Sequence, residues 1–294
     1  MWHVRTSLSG QNGASFISFH LSMSLSELFP ETDYRFSMRF ERKSPQEFFA
    51  RTKNGSSLLA KRRQWLNSAP ATYAGLLPEG QVFLEEAIDL AQSWGAVSPA
   101  GFSLQPERAW DDCLTLGKCL EPDFLLLQPD LAGSPRLLGG VVCFPSHWSL
   151  ADKLGKPMSL IHEVVPGLND TLGKQIGSFL NKLRPGVAWL RSNWGIARTP
   201  ELNDHPSRAL PRLGPEVTTE EVWLRLEHQA LVALPKTGGI LFGIRVEVIP
   251  LAELKREAAP TKGLIRALET MPDDLARYKG LATARNRLLK LLQP

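Results

Sequence analysis

Residues 239–249 alternate with a period of two. Ile240, Phe242, Ile244, Val246 and Val248 fall on one side, and Arg245 and Glu247 on the other. A nine-residue alternation of this kind, from Ile240 to Val248, admits a strand and not a helix. Residues 222–231 repeat the pattern, with Leu224, Leu226 and His228 facing one way and Arg225, Glu227 and Gln229 the other. The turn-forming run Pro235-Lys236-Thr237-Gly238 lies between them, so the two pair as a hairpin. A third strand, 187–196, puts Trp189, Arg191 and Asn193 on one side.

The rest of the chain fits around that sheet. Residues 123–128 and 137–144 read as short strands joined by the turn Ala132-Gly133-Ser134-Pro135; the second is almost wholly apolar and so buried on both faces. Ser44-Pro45-Gln46-Glu47 is a helix start: a cap, a proline in the first turn and a glutamate three residues after the cap. That helix runs to about residue 51 and ends at Asn54-Gly55. Further helices are expected over 57–66, over 78–94 with Val82, Leu84, Ala87, Ile88 and Ala91 near one face, over 148–154, and over 170–183. The tail 251–292 is helical with breaks at Pro260 and Pro272. Residues 199–219 form a long polar loop of the kind that serves as a lid or stays disordered.

Strands and helices do not alternate strictly, so the expected class is α+β: an antiparallel sheet of about five strands with flanking helices. There is no GxGxxG or phosphate loop. Residues 23–294 read as a single domain. Residues 1–22, rich in Ser and Gly and lacking a signal-peptide core, read as an extension ahead of a better start at Met23.

The formal charge of +4 is spread along the chain. Its densest basic run, Lys61-Arg62-Arg63, reads as a solvated helix face, which speaks against nucleic-acid binding. No apolar run is long enough to span a bilayer. Cys113, Cys119 and Cys143 form no CxxC and no even framework. That suits a reducing compartment, and the expected location is the cytoplasm.

The densest chemistry lies between residues 142 and 166, where Cys143, His147, Trp148, His162 and three prolines follow one another in a strand-to-loop-to-helix passage. His162, between Ile161 and Val164-Val165, is either a satisfied core histidine or a ligand to haem iron or another metal. Cys143, on a buried strand, reads as a small apolar residue whose surroundings disfavour the thiolate. Arg225 and Glu227 project from one strand face, as an ordinary surface pair or as the lining of a pocket. Arg245 and Glu247 repeat the arrangement; if helices cover them they form a buried network or a site. Trp148, Trp189, Trp194 and Trp223 are core candidates, and four tryptophans near one sheet also suit a large planar ligand. No GxSxG, HExxH, kinase or EF-hand pattern is present.

These residues resemble the haem-dependent oxidative N-demethylase alpha-subunit family. The resemblance runs from Tyr34-Arg35-Phe36-Ser37-Met38 to Tyr278-Lys279-Gly280-Leu281. Its strongest blocks are 142–155, Ile161-His162 to Asn169, Leu183-Arg184-Pro185, Arg191-Ser192-Asn193-Trp194, 224–229 and Leu234-Pro235-Lys236-Thr237-Gly238. It implies a PAS-like sheet holding haem b. It also implies oxygen-dependent removal of a methyl group from a secondary or tertiary amine, with release of formaldehyde. Electrons would come from NADPH through separate flavin and iron–sulfur reductase subunits of ferredoxin type.

The same resemblance implies roles for individual residues: His162 as axial ligand, Trp148 and Arg191 at the cofactor, and Arg225 and Glu227 in the substrate and proton network. His147 and His228 stand where the family more typically has arginine, and Arg39 where glycine is common. His147, His228 or Cys143 therefore remain alternative ligands. The competing readings are a haem-binding PAS-like sensor without turnover and a haem-free scaffold.

Overall fold

The computed structural model describes residues 24–53, 55–130 and 134–293. Residues 1–22, Asn54, and Ala132 and Gly133 of the expected turn lie outside the described residues.

The amino-terminal third is mainly helical: α1 (Leu25–Leu28), α2 (Pro45–Phe49), α3 (Gly55–Ser68), α4 (Pro70–Tyr73), α5 (Gln81–Ser93) and α6 (Ala109–Cys119), with the three-residue strands β1 (Glu41–Lys43) and β2 (Ala74–Leu76). Then come β3 (Asp123–Gln128), β4 (Arg136–Val141), α7 (Met158–His162) and α8 (Leu168–Leu180). The strands β5 (Ala188–Ala197), β6 (Trp223–Ala233) and β7 (Ile240–Pro250) precede α9 (Leu251–Leu254), α10 (Ala258–Thr270), α11 (Asp273–Tyr278) and α12 (Arg285–Leu292).

The class is α+β, but the sheet has seven strands rather than about five, in the order β1-β5-β6-β7-β3-β4-β2. All pairings are antiparallel. The five expected strands are the contiguous centre. β1 and β2 are added at the two edges, and three residues are too few to show a period.

The two faces differ. One carries Phe124, Leu126, Leu190, Ala230 and Leu241 against Phe48, Phe49, Leu66, Leu84 and Leu116. Toward its other end Trp194, Ile196, Leu224 and Leu226 pack on Leu264, Leu268 and Leu288. Gly243 is required here: a Cβ would lie 2.7 Å from both Phe48 and Phe49, so only glycine lets the α2 phenylalanines sit on β7. The opposite face packs on α7, α8 and the 148–154 segment, through Leu150, Leu180, Met158, Ile161, Ile176 and Phe179.

One local expectation holds and others change. The capping box of Ser44 and Glu47 is present, with Ser44 N–H donating to Glu47 Oε1 at 3.1 Å. In α5 it is Phe83 that turns inward, while Val82 is exposed. Residues 148–154 form turns, not a helix. His147 (φ 59°) precedes the segment and Gly155 (φ 81°) follows it, both in left-handed conformations that break a helix; Gly155 N–H then bonds to Leu137 O at 2.8 Å.

The 199–219 loop is an ordered strap rather than a free lid. Asn203 Nδ2 donates to Tyr73 Oη at 3.0 Å, Arg208 lies over the Trp65 ring at 4.8 Å, and Arg198 pairs with Glu216 and Glu221.

The basic run 61–63 is not a uniformly solvated face. Lys61 and Arg63 are exposed, but Arg62 is 0% exposed and pairs with Asp123, whose carboxylate also accepts from Cys143 N–H (2.8 Å) and Phe144 N–H (2.9 Å). α3 is thereby fixed to the end of β4, and burial is tolerable because the pair is hydrogen-bonded.

Candidate functional site

Strand pairing places the polar residues. On β5 and β6, Arg191 stands opposite Gln229, and Asn193 opposite Glu227. Side chains opposite one another share a face. Arg191, Asn193, Glu227 and Gln229 therefore point to the side that α7 and α8 partly cover, along with Trp189, Phe242 and Val246.

Arg245 stands opposite His228, on the other face. The two Arg-x-Glu pairs thus face opposite ways. Arg245 joins the core: it pairs with Glu121 at 2.9 Å and donates to Phe48 O and Ala50 O at 2.8 Å. Glu247 Oε2 lies 3.1 Å from His228 Nε2.

The α7–α8 side of the sheet is open. Phe242 and Val246 are on a central strand, yet both are only partly buried, as are Trp148, Trp189, Met158, Ile161, Ile176 and Phe179. A cleft of about 540 Å3 opens between α7 and α8, lined by Met158, His162, Asn169, Ile176 and Leu180 among others. That size suits a cofactor or small ligand.

His162 belongs to both regions. It lines the cleft, and burial, Arg191 and Lys153 together hold its imidazole at a pKa of about 4. The ring is therefore neutral at pH 7 and its nitrogens make no hydrogen bond among the described residues. Lys153 lies 5.5 Å from the Trp148 ring centroid, which brings Trp148 to the same side.

Arg191 also lacks a partner. Its guanidinium lies 5.9 Å from the Phe40 ring and makes no hydrogen bond or ion pair among the described residues. Burial pushes its pKa down, and Glu227 and Tyr34 oppose that shift. Glu227 accepts one hydrogen bond, from Gln229 Nε2 at 3.1 Å.

The expected site residues thus divide. His162, Trp148, Arg191 and Glu227 come together on the open face. Arg225 shares that face but is spent elsewhere. Its Nε donates to Ser146 Oγ (2.7 Å), Nη1 to Glu201 O (2.9 Å), and Nη2 to the carbonyls of Phe144 (3.0 Å), Pro145 (3.1 Å) and Leu202 (2.6 Å). It ties the strap to the 144–146 loop.

The alternative ligands are also engaged. His228 is held through both ring nitrogens, by Ser192 Oγ at 3.0 Å and by Glu247, on the other face. His147 is exposed, with its ring against Arg212 and near Asp204. Cys143 lies in the opposite core, and burial pushes its thiol up to about 12.

Sequence reasoning missed Lys279, Tyr278 and Tyr34. Lys279 Nζ donates to Trp194 O at 2.7 Å and sits 4.9 Å from that ring. Burial lowers its pKa to about 8, partly offset by Glu227. Burial raises Tyr34 to about 12, and raises Tyr278 with help from Glu227. The one signal was that Tyr34 and Tyr278-Lys279 stand in the first and last blocks of the resemblance, which gave neither a role.

A haem fits these residues: a neutral, unpartnered imidazole for iron and partly open apolar side chains for a large ring. Among the described residues no helix is long and apolar enough to cross a membrane, and no cluster of three metal-ligating side chains occurs. The family profile described as haem-dependent oxidative N-demethylase, alpha subunit-like, matches residues 90–289, more than half of the chain. The chain belongs to the haem-dependent oxidative N-demethylase, alpha-subunit-like, family.

Proposed function

We propose that this protein binds haem b on the α7–α8 side of its PAS-like sheet and removes a methyl group oxidatively from a secondary or tertiary amine, using oxygen and releasing formaldehyde. Electrons reach it from NADPH through separate flavin and iron–sulfur subunits, in keeping with the alpha-subunit character of the family. The reading takes residues 23–294 as one domain working in the cytoplasm.

Haem, when bound, supplies oxygen activation and the path for electrons. The chain's own residues do the rest. His162 offers iron a neutral imidazole, which needs no deprotonation at pH 7. Trp148 lends an apolar wall. Glu227 opposes the charge of a substrate ammonium and takes up its proton. Arg225 does not touch substrate; it is a positioning residue that fixes the loops beside Glu227. Arg191 offers its guanidinium to a carboxylate on the same sheet face.

The observation that carries the reading is the state of His162. It is neutral and unpartnered at the open face, whereas His228, His147 and Cys143 are engaged or inert. The test is the absorption spectrum of protein expressed with a haem precursor, for wild type, His162→Ala and His228→Ala. A Soret band near one haem per chain, lost or shifted only in His162→Ala, is expected. A band indifferent to His162 moves the ligand elsewhere, and no band in wild type sinks the reading.

A further inference from the structure

Among the described residues three arginines are buried, and each has its charge answered. Arg62 pairs with Asp123, Arg245 with Glu121, and Arg225 has five oxygen acceptors. Such satisfaction is the rule, because an unanswered guanidinium away from water is costly. Arg191, only partly exposed on the sheet face, is the exception, with no acceptor among the described residues.

Its nearest counter-charge of the right sign is Glu227, one diagonal step away on the neighbouring strand. Diagonal neighbours on a sheet face have Cα atoms about 7–8 Å apart, well within the combined reach of an arginine and a glutamate. Yet the two do not pair. Glu227 instead takes a single amide hydrogen bond from Gln229 and keeps most of its acceptor capacity free. The cation and the anion share one sheet face and form no ion pair.

We propose that these two residues form a receptor for a zwitterion, an N-methylated amino acid whose ammonium lies on Glu227 and whose carboxylate lies on Arg191. The methylated-amine half rests on the N-demethylase reading; the carboxylate half rests on Arg191 alone.

Charge counting favours the zwitterion over a simple amine. Arg191 and Lys279 contribute two positive charges and Glu227 one negative charge, so the polar end carries a net positive charge when all three are ionised. A simple alkylammonium would raise that charge and leave Arg191 unanswered. A zwitterion adds no net charge and answers both groups, and the planar fork of a guanidinium matches a carboxylate in two parallel hydrogen bonds. Lys279 lies toward the Glu227 end and adds to the positive charge there without pairing with Glu227. Its Nζ is held on β5 by Trp194 O, one residue from Asn193, which stands opposite Glu227.

The carboxylate that Arg191 recognises has one other source, a haem propionate, and the test separates the two. Isothermal titration of the full-length protein with N,N-dimethylglycine, dimethylamine and acetate is run alongside the haem-to-protein ratio. The expected result is that wild type binds dimethylglycine at least tenfold more tightly than either fragment. In Arg191→Gln that preference collapses toward one while the haem ratio is retained. Arg191→Lys is expected to keep part of the preference, since the charge stays and the fork is lost.

Equal affinity for dimethylglycine and dimethylamine in wild type overturns the proposal without recourse to any variant. So does an Arg191→Gln protein that keeps the preference, or one that loses haem, which would give the guanidinium to a propionate. A protein that holds no haem yet shows the dimethylglycine pattern leaves the zwitterion receptor standing and removes the N-demethylase reading. One that demethylates dimethylamine and does not bind dimethylglycine does the reverse.

Discussion

Arg225 Nε donates to Ser146 Oγ at 2.7 Å, and the same guanidinium closes on four main-chain carbonyls of two separate loops. Glu227, two residues along the same strand face, has one amide donor. The Arg-x-Glu pair is therefore divided in labour: the arginine ties two loops together and the glutamate stays largely free on the open sheet face. Arg225→Met removes the donors to five oxygens that are largely out of water. A loss of at least about 3 kcal/mol is expected. Glu227→Gln keeps the shape and one neutral hydrogen bond, so its cost is expected to stay below about 1 kcal/mol. Urea denaturation of the two variants checks this; equal losses would mean that Glu227 is as structural as Arg225.

The three cysteines should separate cleanly by reactivity. Cys113 and Cys143 are buried, and burial holds both thiols at about 12, whereas Cys119 is partly exposed. The thiolate is the reactive form. In the native protein at pH 8 a thiol reagent is expected to label Cys119 alone, and all three after denaturation. Native labelling of Cys143 would mean that the end of β4 opens, and would return that residue to the list of candidate ligands.

Much of this fold was legible because its longest strands carry a strict period. The pairs Trp189 and Arg191, Arg225 and Glu227, and Ile244 and Val246 each share a face as the alternation requires. What alternation does not give is which face is covered by what. The repeat of Arg-x-Glu at 245 and 247 looked like a second copy of the first, but the register of β6 on β7 sets Arg245 opposite His228 and so on the other side. Arg62 was misread for a related reason. In a run of three basic residues only the one facing the core is buried, and which one does so depends on where Asp123 arrives from a strand sixty residues away. Lys279 was invisible because its partners, Trp194 O and the Glu227 charge, belong to strands far from it in sequence.

The hairpin turn after β6 rests on a single buried carboxylate. Glu86 of α5 accepts from Lys236 N–H (2.5 Å), Thr237 N–H (2.8 Å) and Thr237 Oγ1 (2.6 Å). Glu86→Ala is expected to cost about 1–3 kcal/mol, less than three lost bonds would suggest, because the turn is exposed enough for water to replace some of them. Hydrogen exchange should show faster exchange at Lys236 and Thr237 while the β5–β6 ladder stays protected. Faster exchange throughout β6 would mean that the turn holds the whole hairpin.

His162 sets a pH signature that needs no haem. Its imidazole is held at about 4 in the folded chain by burial and by the Arg191 and Lys153 charges, against 6.5 for a free histidine. Between those two values the unfolded chain takes up a proton that the folded chain refuses. Stability therefore rises with pH across this window, and falls as pH drops from 6.5 toward 4. A shift of this size corresponds to about 2–3 kcal/mol at the acid end, the lower figure being apt because the ring is not fully buried. Acidic groups elsewhere also titrate in this range, so the informative quantity is the difference between wild type and His162→Ala. That difference should move in favour of the variant as pH falls from 7 to 4.5, read as urea midpoints of haem-free protein. Parallel decline of the two proteins would mean that the imidazole is not held neutral, and with it would go the feature that sets His162 apart from His147 and His228.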